Sequence, residues 1–298
     1  MSAHKLIRLT QQLYHTPHLI SPTSFKSIEA YLNSRNFGLM QDKKKKCDED
    51  GDDDCNDCDV EDTYACSDEG LDDLRAVGVI DICGPLTNEP TGWEAMCGGC
   101  SYKSIMEQAE DLVEYGATTI ILNIDSGGGE AYGAFECADD LRLLCDSNNI
   151  SLISYVQGCA ASAAYLIACV ADEVICNPFG ETGSIGVLIG LCDDSKHLEQ
   201  EGYKRVWVTA GKEKVPYAED GSFKKEFLND LQMKVDFMYD EFVSHVENYT
   251  NMSKQEIIDT EAKTFLAKDA LSLGLINRIM TNREFVKYIV NKQGVSGA

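Results

Sequence analysis

Ser162 stands among small residues, in Gly158-Cys159-Ala160-Ala161-Ser162-Ala163-Ala164, where an apolar stretch gives way to a helical pattern. Small neighbours permit a crowded strand-to-helix turn that offers the hydroxyl at a helix start, the placement a nucleophile requires. A helix N-cap would use a serine in the same place, and on this turn alone the cap is the preferred reading. A serine nucleophile also needs a base. The histidines are His4, His15, His18, His197 and His245, and none sits in a segment resembling a triad. The other route is a lysine amine made neutral by desolvation. Gly211-Lys212-Glu213-Lys214-Val215-Pro216 offers Lys212 and Lys214, although for any single lysine a solvated surface position is the ordinary state.

A second turn, Gly127-Gly128-Gly129, follows Ile124-Asp125-Ser126 and precedes another helical pattern. Glycines there let the backbone approach a bound group and aim amide hydrogens at it, which suits a phosphate or a developing oxyanion. A tight turn holding no ligand fits equally well. As a phosphate loop the segment is deficient, because no Gly-Lys-Ser/Thr follows and the G-x-G-x-x-G spacing is not reproduced.

These turns need rigid elements on either side. Residues 76–82 read as a strand ended by Gly84-Pro85-Leu86, 102–115 as a helix, and 118–124 as a buried strand. The alternation continues with a helix over 131–145, a strand over 150–156, a helix over 162–169 and a short strand over 173–176. Strands alternating with helices predict an α/β fold with a parallel sheet covered on both faces. Phe223, Phe227, Leu231, Met238, Phe242 and Val246 fall on one helical stripe, expected to face the core.

The chain has 298 residues, 44% of them hydrophobic, enough for one large core or two modest ones. Its net charge is −24, which repels nucleic acid phosphates. From Cys47 to Asp73 there are fourteen acidic residues and no Lys or Arg; without them the charge is −10, ordinary for a soluble protein. With the preceding Lys43–Lys46 run, this block cannot collapse into a core, so 42–75 is expected to be a disordered linker or insertion. It follows a small N-terminal arm, 1–41, with a short helical pattern around Phe25, Ile28, Tyr31 and Leu32. No secretory leader and no apolar run long enough for a membrane span is read, so no membrane partner is expected.

Thirteen cysteines without an export signal are expected to be reduced thiols. Cys55, Cys58, Cys97 and Cys100 form two C-x-x-C pairs that could complete a zinc site, but their separation is wider than a compact zinc ribbon prefers. The Asp-rich run lacks the register of a calcium loop.

Taken together, three segments resemble the S49 serine peptidases, the signal peptide peptidase A family, and most closely its phage capsid (head maturation) proteases. They are Ile124-Asp125-Ser126-Gly127-Gly128-Gly129, Gly158 to Tyr165, and Asn177-Pro178 through Thr182-Gly183-Ser184-Ile185-Gly186-Val187. The resemblance covers roughly Val79 to Ile279, and extends through the closing helix-turn near 261–276. It implies a ClpP/crotonase-like superhelix of repeated β-β-α units, with a peptidase domain over 76–284 and a C-terminal tail over 285–298. It makes Ser162 the nucleophile, Lys214 the general base in preference to Lys212, and Ser184 the hydroxyl that steadies the amine. The amides of Gly128 and Ala163 would form the oxyanion hole, and no cofactor would be required.

Two departures stand out: the family usually has proline where Gly127 stands, and glycine is common where this chain has Ala163-Ala164. ClpP itself requires a histidine soon after the serine helix, and 169–196 contains none. An acyl-CoA hydratase of the same superfamily would not need Ser162, Ser184 and Lys214 together. The implied activity is serine endopeptidase processing of scaffold, capsid or portal proteins in a phage procapsid within the host cytoplasm, by a homo-oligomer. The alternatives are a cellular soluble signal peptide peptidase A-like protease and a catalytically silent assembly or scaffold protein.

Overall fold

The computed structural model describes residues 18–20, 77–90, 99–203 and 206–293. Apart from 18–20, the arm and the acidic segment lie outside these residues, as do Cys55, Cys58 and Cys97. The strands are β1 (His18–Ile20), β2 (Val77–Cys83), β3 (Leu86–Thr87), β4 (Cys100–Ser101), β5 (Thr119–Ser126), β6 (Gly128–Glu130), β7 (Ser151–Ala161), β8 (Glu173–Cys176), β9 (Glu181–Gly183), β10 (Thr264–Leu266) and β11 (Arg278–Ile279). The helices are α1 (Tyr102–Glu114), α2 (Ala134–Asn148), α3 (Ala163–Ala168), α4 (Ser195–Gln200), α5 (Lys225–Tyr249), α6 (Lys254–Asp259), α7 (Ala267–Leu273) and α8 (Asn282–Lys292).

The main sheet runs β10-β9-β7-β5-β2, with β8 paired to β7 and β11 to β8. Every pairing in it is parallel except β9–β10. β5 is buried along nearly its whole length, as a central parallel strand covered on both faces must be. Ile80, Ile82, Ile120, Leu122, Ile124, Leu152 and Val156 pack with α1, α2 and α3 in one cluster. Ile121, Ile153, Tyr155 and Ile175 meet Phe285 and Ile289 of α8 in the other. The expected two-sided α/β sheet is therefore present, and the boundary drawn at 284 falls inside a packed helix. Tyr155 and Phe285 stack at 4.2 Å, a pairing worth about 1 kcal/mol beyond its buried area.

The β-β-α repeat is visible in the connections. β2 and β5 each lead within three residues into a short second strand, β3 and β6, and those strands pair with each other through Leu86 and Gly129 in a small second sheet. A Cβ on Gly129 would lie 1.9 Å from the Leu86 carbonyl oxygen, so only glycine permits this approach.

The apolar stripe beginning at Phe223 faces inward as expected, and is fully buried only at its C-terminal end. Phe242 and Val246 of helix α5 are buried, Phe223, Phe227, Leu231 and Met238 are half-buried, and the exposed Leu228, Met233 and Phe237 lie off the stripe. Periodicity identifies an apolar face but not how much protein lies against it, and α3 meets α5 at its buried end, where Leu166 faces His245.

Candidate active site

Three turns converge because of how β7 is paired. Up to Val156 it is in simple parallel register with β5, Ile124 opposite Val156, and the next pair is Ser126 opposite Ala160. Residues 157–159 bulge. Asp125 Oδ1 accepts the Cys159 N–H at 3.0 Å, and Gly158 leaves room for that carboxylate, since a Cβ there would lie 2.4 Å from the same oxygen. The bulge re-aims the end of β7 so that Ser126 comes beside Ala160, while Ala160 and Ala161 pair with Thr182 and Gly183 of β9. The glycine turn, the serine turn and the Gly183-Ser184 turn thus meet at one end of the sheet.

Ser162 sits at the junction of β7 and α3 with φ 58° and ψ −120°, and its side chain makes no capping hydrogen bond. The cap reading that the local sequence favoured does not describe it. Its N–H donates to Gly183 O at 2.8 Å, its hydroxyl donates to Gly186 O at 3.4 Å, and its relative exposure is 0%. Ser184 also has positive φ, 56°, is buried, and donates its N–H to Lys263 O at 2.8 Å. Glu261 and Ala262 have φ 49° and 54°. A Cβ on Gly186 would lie 2.7 Å from that of Ala262, so this segment braces the 183–186 turn. Strained non-glycine backbone at 162, 184, 261 and 262 is concentrated around one site, where surrounding contacts hold it.

Gly128 has φ 95°. Its N–H donates to Ser126 Oγ at 3.1 Å, and that hydroxyl donates to Gly84 O at 2.6 Å. A carbonyl oxygen arriving at the Gly128 amide competes with Ser126, a residue to which the sequence reading gave no role. The available signal was a serine two positions before a glycine amide, the spacing of an ST turn. The Ala163 N–H opens α3 and belongs to the helix-start amides that lack an intrahelical acceptor. Thr182 Oγ1 is buried and has no hydrogen-bond partner among the described residues. Cys159, three residues before Ser162, has its thiol pushed up to about 11 by burial, and then by Glu181 and Asp125, so it stays protonated at neutral pH.

Lys212 and Lys214 lie together in an exposed loop, and the structure does not bring either amine into hydrogen-bond contact with Ser162. Lys212 forms a 3.9 Å ion pair with Glu213, while the Lys214 N–H donates to Gly211 O at 3.2 Å. The loop is anchored by Lys224 Nζ, which donates to the carbonyls of Lys212 and Val215 at 3.3 and 2.7 Å.

Behind the serine helix, His245 Nε2 lies 3.2 Å from Leu166 O, and Nδ1 lies 3.7 Å from Asp139 Oδ1. Leu166 N–H in turn donates to Ser162 O at 2.9 Å. Burial pushes the His245 pKa down, opposed by Asp139 and the Leu166 carbonyl. A folded-state pKa below the unfolded value of about 6.5 means that stability is full above that pH and falls as pH drops through it toward the lower folded value. His245→Gln is expected to flatten thermal stability between pH 7.5 and 5.5 relative to the parent protein, at about 2–4 °C per kcal/mol. Parallel melting curves for the two proteins would contradict this.

Of the zinc candidates, Cys100 is half-buried in β4 and the other three lie outside the described residues. Among the described residues, no group of three or more His, Cys, Asp or Glu could hold a metal ion, and no helix is long and apolar enough to cross a membrane.

Residues 146–296 match the family described as Peptidase family S49, and the chain belongs to that family. It is 25% identical over 217 residues to capsid assembly protease C of Escherichia phage lambda, covering 72% of this chain and 48% of the relative. It is 27% identical over 210 residues to the head-tail preconnector protein GP5 of Enterobacteria phage P21, covering 70% and 41%. The chain thus spans less than half the length of either. Among solved structures it is similar to a ClpP1 mutant from Listeria monocytogenes, with a TM-score of 0.43 and 16% identity over 72% of this chain and 96% of the other.

Proposed function

We propose that this chain is a serine endopeptidase that processes scaffold, capsid or portal proteins during phage head assembly, inside the procapsid and as a homo-oligomer. Ser162 attacks the scissile carbonyl and Lys214 takes its proton, with Ser184 steadying the amine. The amides of Gly128 and Ala163 receive the oxyanion, Gly128 exchanging Ser126 Oγ for it. The tetrahedral adduct collapses to an acyl-enzyme as the leaving amine takes the proton back, and water then releases the acid.

The observation that carries the reading is the strained, buried Ser162 at a strand-to-helix junction, flanked by the Gly128 turn and the Ser184 turn. The exposed 211–214 loop must close over the serine for a lysine to act in a space shielded from water, within one chain or between copies. The Thr182 hydroxyl, without a hydrogen-bond partner among the described residues, fits a site that a further polar group enters when the loop closes.

Co-expression with the head proteins of the same phage tests the whole reading. New termini, mapped by mass spectrometry, should appear with the parent protein and be missing with Ser162→Ala. An identical set of termini from both would remove Ser162 from the chemistry and leave an assembly protein with a peptidase fold.

A further inference from the structure

β6 is central in the second sheet, between β3 and β1. One edge is committed to β3, where Gly129 is in parallel register with Leu86. Along the other edge the backbone of His18–Ile20 runs antiparallel, with His18 opposite Glu130, Leu19 opposite Gly129 and Ile20 opposite Gly128. This pairing is long-range and was not expected from the sequence.

The edge concerned is special because of what begins it. Gly128, the first residue of β6, carries a candidate oxyanion amide, and β6 packs against α3, the helix that Ser162 opens. A protein substrate that presents its carbonyl to that amide is most simply held by adding its extended main chain to the same edge. Gly128 and Gly129 have no side chains to keep a second backbone away. The antiparallel direction carries the segment from the Glu130 end to the Gly128 turn, so Ile20 stands opposite the residue whose amide begins the strand. Ser162 itself is fully buried in this state.

We propose that residues 18–20 occupy the substrate-binding edge of the site in cis, holding the chain in a self-blocked state until an outside protein chain displaces them. The inference rests on the serine peptidase reading and adds to it an occupant and a means of restraint. A tethered segment competes at an effective concentration in the millimolar range, enough for weak main-chain pairing to exclude dilute substrates while yielding to concentrated ones. The interior of an assembling particle presents its proteins in that concentrated form.

The test keeps the full chain and removes the pairing. Leu19→Pro/Ile20→Pro deletes two adjacent backbone N–H groups, one of which must face β6 whichever way the ladder is phased. Two serine-directed reagents are compared. A small fluorophosphonate reports whether Ser162 is reactive at all, and a peptidyl phosphonate reports whether the β6 edge is open to an extended chain. The peptidyl reagent is expected to label the double-proline variant about tenfold faster than the parent, the ratio for an edge open about one-tenth of the time. Amide hydrogens of Gly128–Glu130 should exchange faster in the variant, and a synthetic peptide of residues 14–24 should reverse both changes. Equal peptidyl labelling with unchanged β6 exchange would overturn the self-block while leaving the peptidase reading intact. Absence of labelling by the small reagent in both proteins would overturn the peptidase reading and the self-block with it.

Discussion

Lys214→Met is expected to lower peptide hydrolysis by roughly 10²- to 10⁴-fold, the range contributed by a positioned general base, while Lys212→Met stays within a few-fold of the parent. Methionine keeps the length and apolar character of the stem and deletes only the amine. The two lysines differ in their surroundings. Lys212 is 91% exposed and its amine lies 3.9 Å from the Glu213 carboxylate, a solvated surface position. Lys214 ends the tight turn that Gly211 opens with φ 97°, and Val215 and Pro216 after it are already half-buried. Closing the loop about the Lys224 anchor would therefore bury Lys214 before Lys212. The measurement is kcat/KM on a peptide spanning a mapped cleavage site. Equal losses in the two variants would show that the loop matters only as a whole, and full activity in Lys214→Met would remove it as the base.

The elements that hold the site were largely legible in the sequence, and the reasons are local. Residues 102–115 carry apolar positions at helical spacing and form α1 over Tyr102–Glu114, its start fixed by a capping box between Ser101 and Ser104. The predicted strand over 173–176 is β8. What the sequence did not reveal depends on partners distant along the chain. β7 runs five residues beyond the predicted 156 because the bulge held by Asp125 redirects it rather than ending it. β1 is three residues whose only strand signal is the edge they pair with, more than a hundred positions away. The stripe on α5 gave the right face, and only its last turns are fully buried. For Ser162, small neighbours announced a crowded turn, but only the backbone angles and the missing capping bond show that it is not a helix cap.

Those angles also allow the chemistry and the strain to be separated in the stability of two inactive variants. Ser162→Ala and Ser162→Gly both lack the hydroxyl, and each is expected to lose hydrolysis by roughly three orders of magnitude or more. Their stabilities should diverge. Alanine retains a Cβ at φ 58° and ψ −120°, a conformation costing about 1–3 kcal/mol for a residue with a side chain, and gives up only a long hydrogen bond to Gly186 O. Glycine relieves that strain, although its more flexible unfolded chain returns about 0.5–1 kcal/mol. The glycine variant should therefore be the more stable by about 1 kcal/mol, a rise of about 2–4 °C in Tm over the alanine variant. An ordinary N-cap position with extended backbone also accepts glycine better than alanine, so the strain is identified by the angles at Ser162 together with its missing capping bond, and the glycine-over-alanine order is what that strain requires. A glycine variant that melts below the alanine variant would mean that Ser162 carries no strain, and the argument for a built nucleophile turn would lose its physical basis.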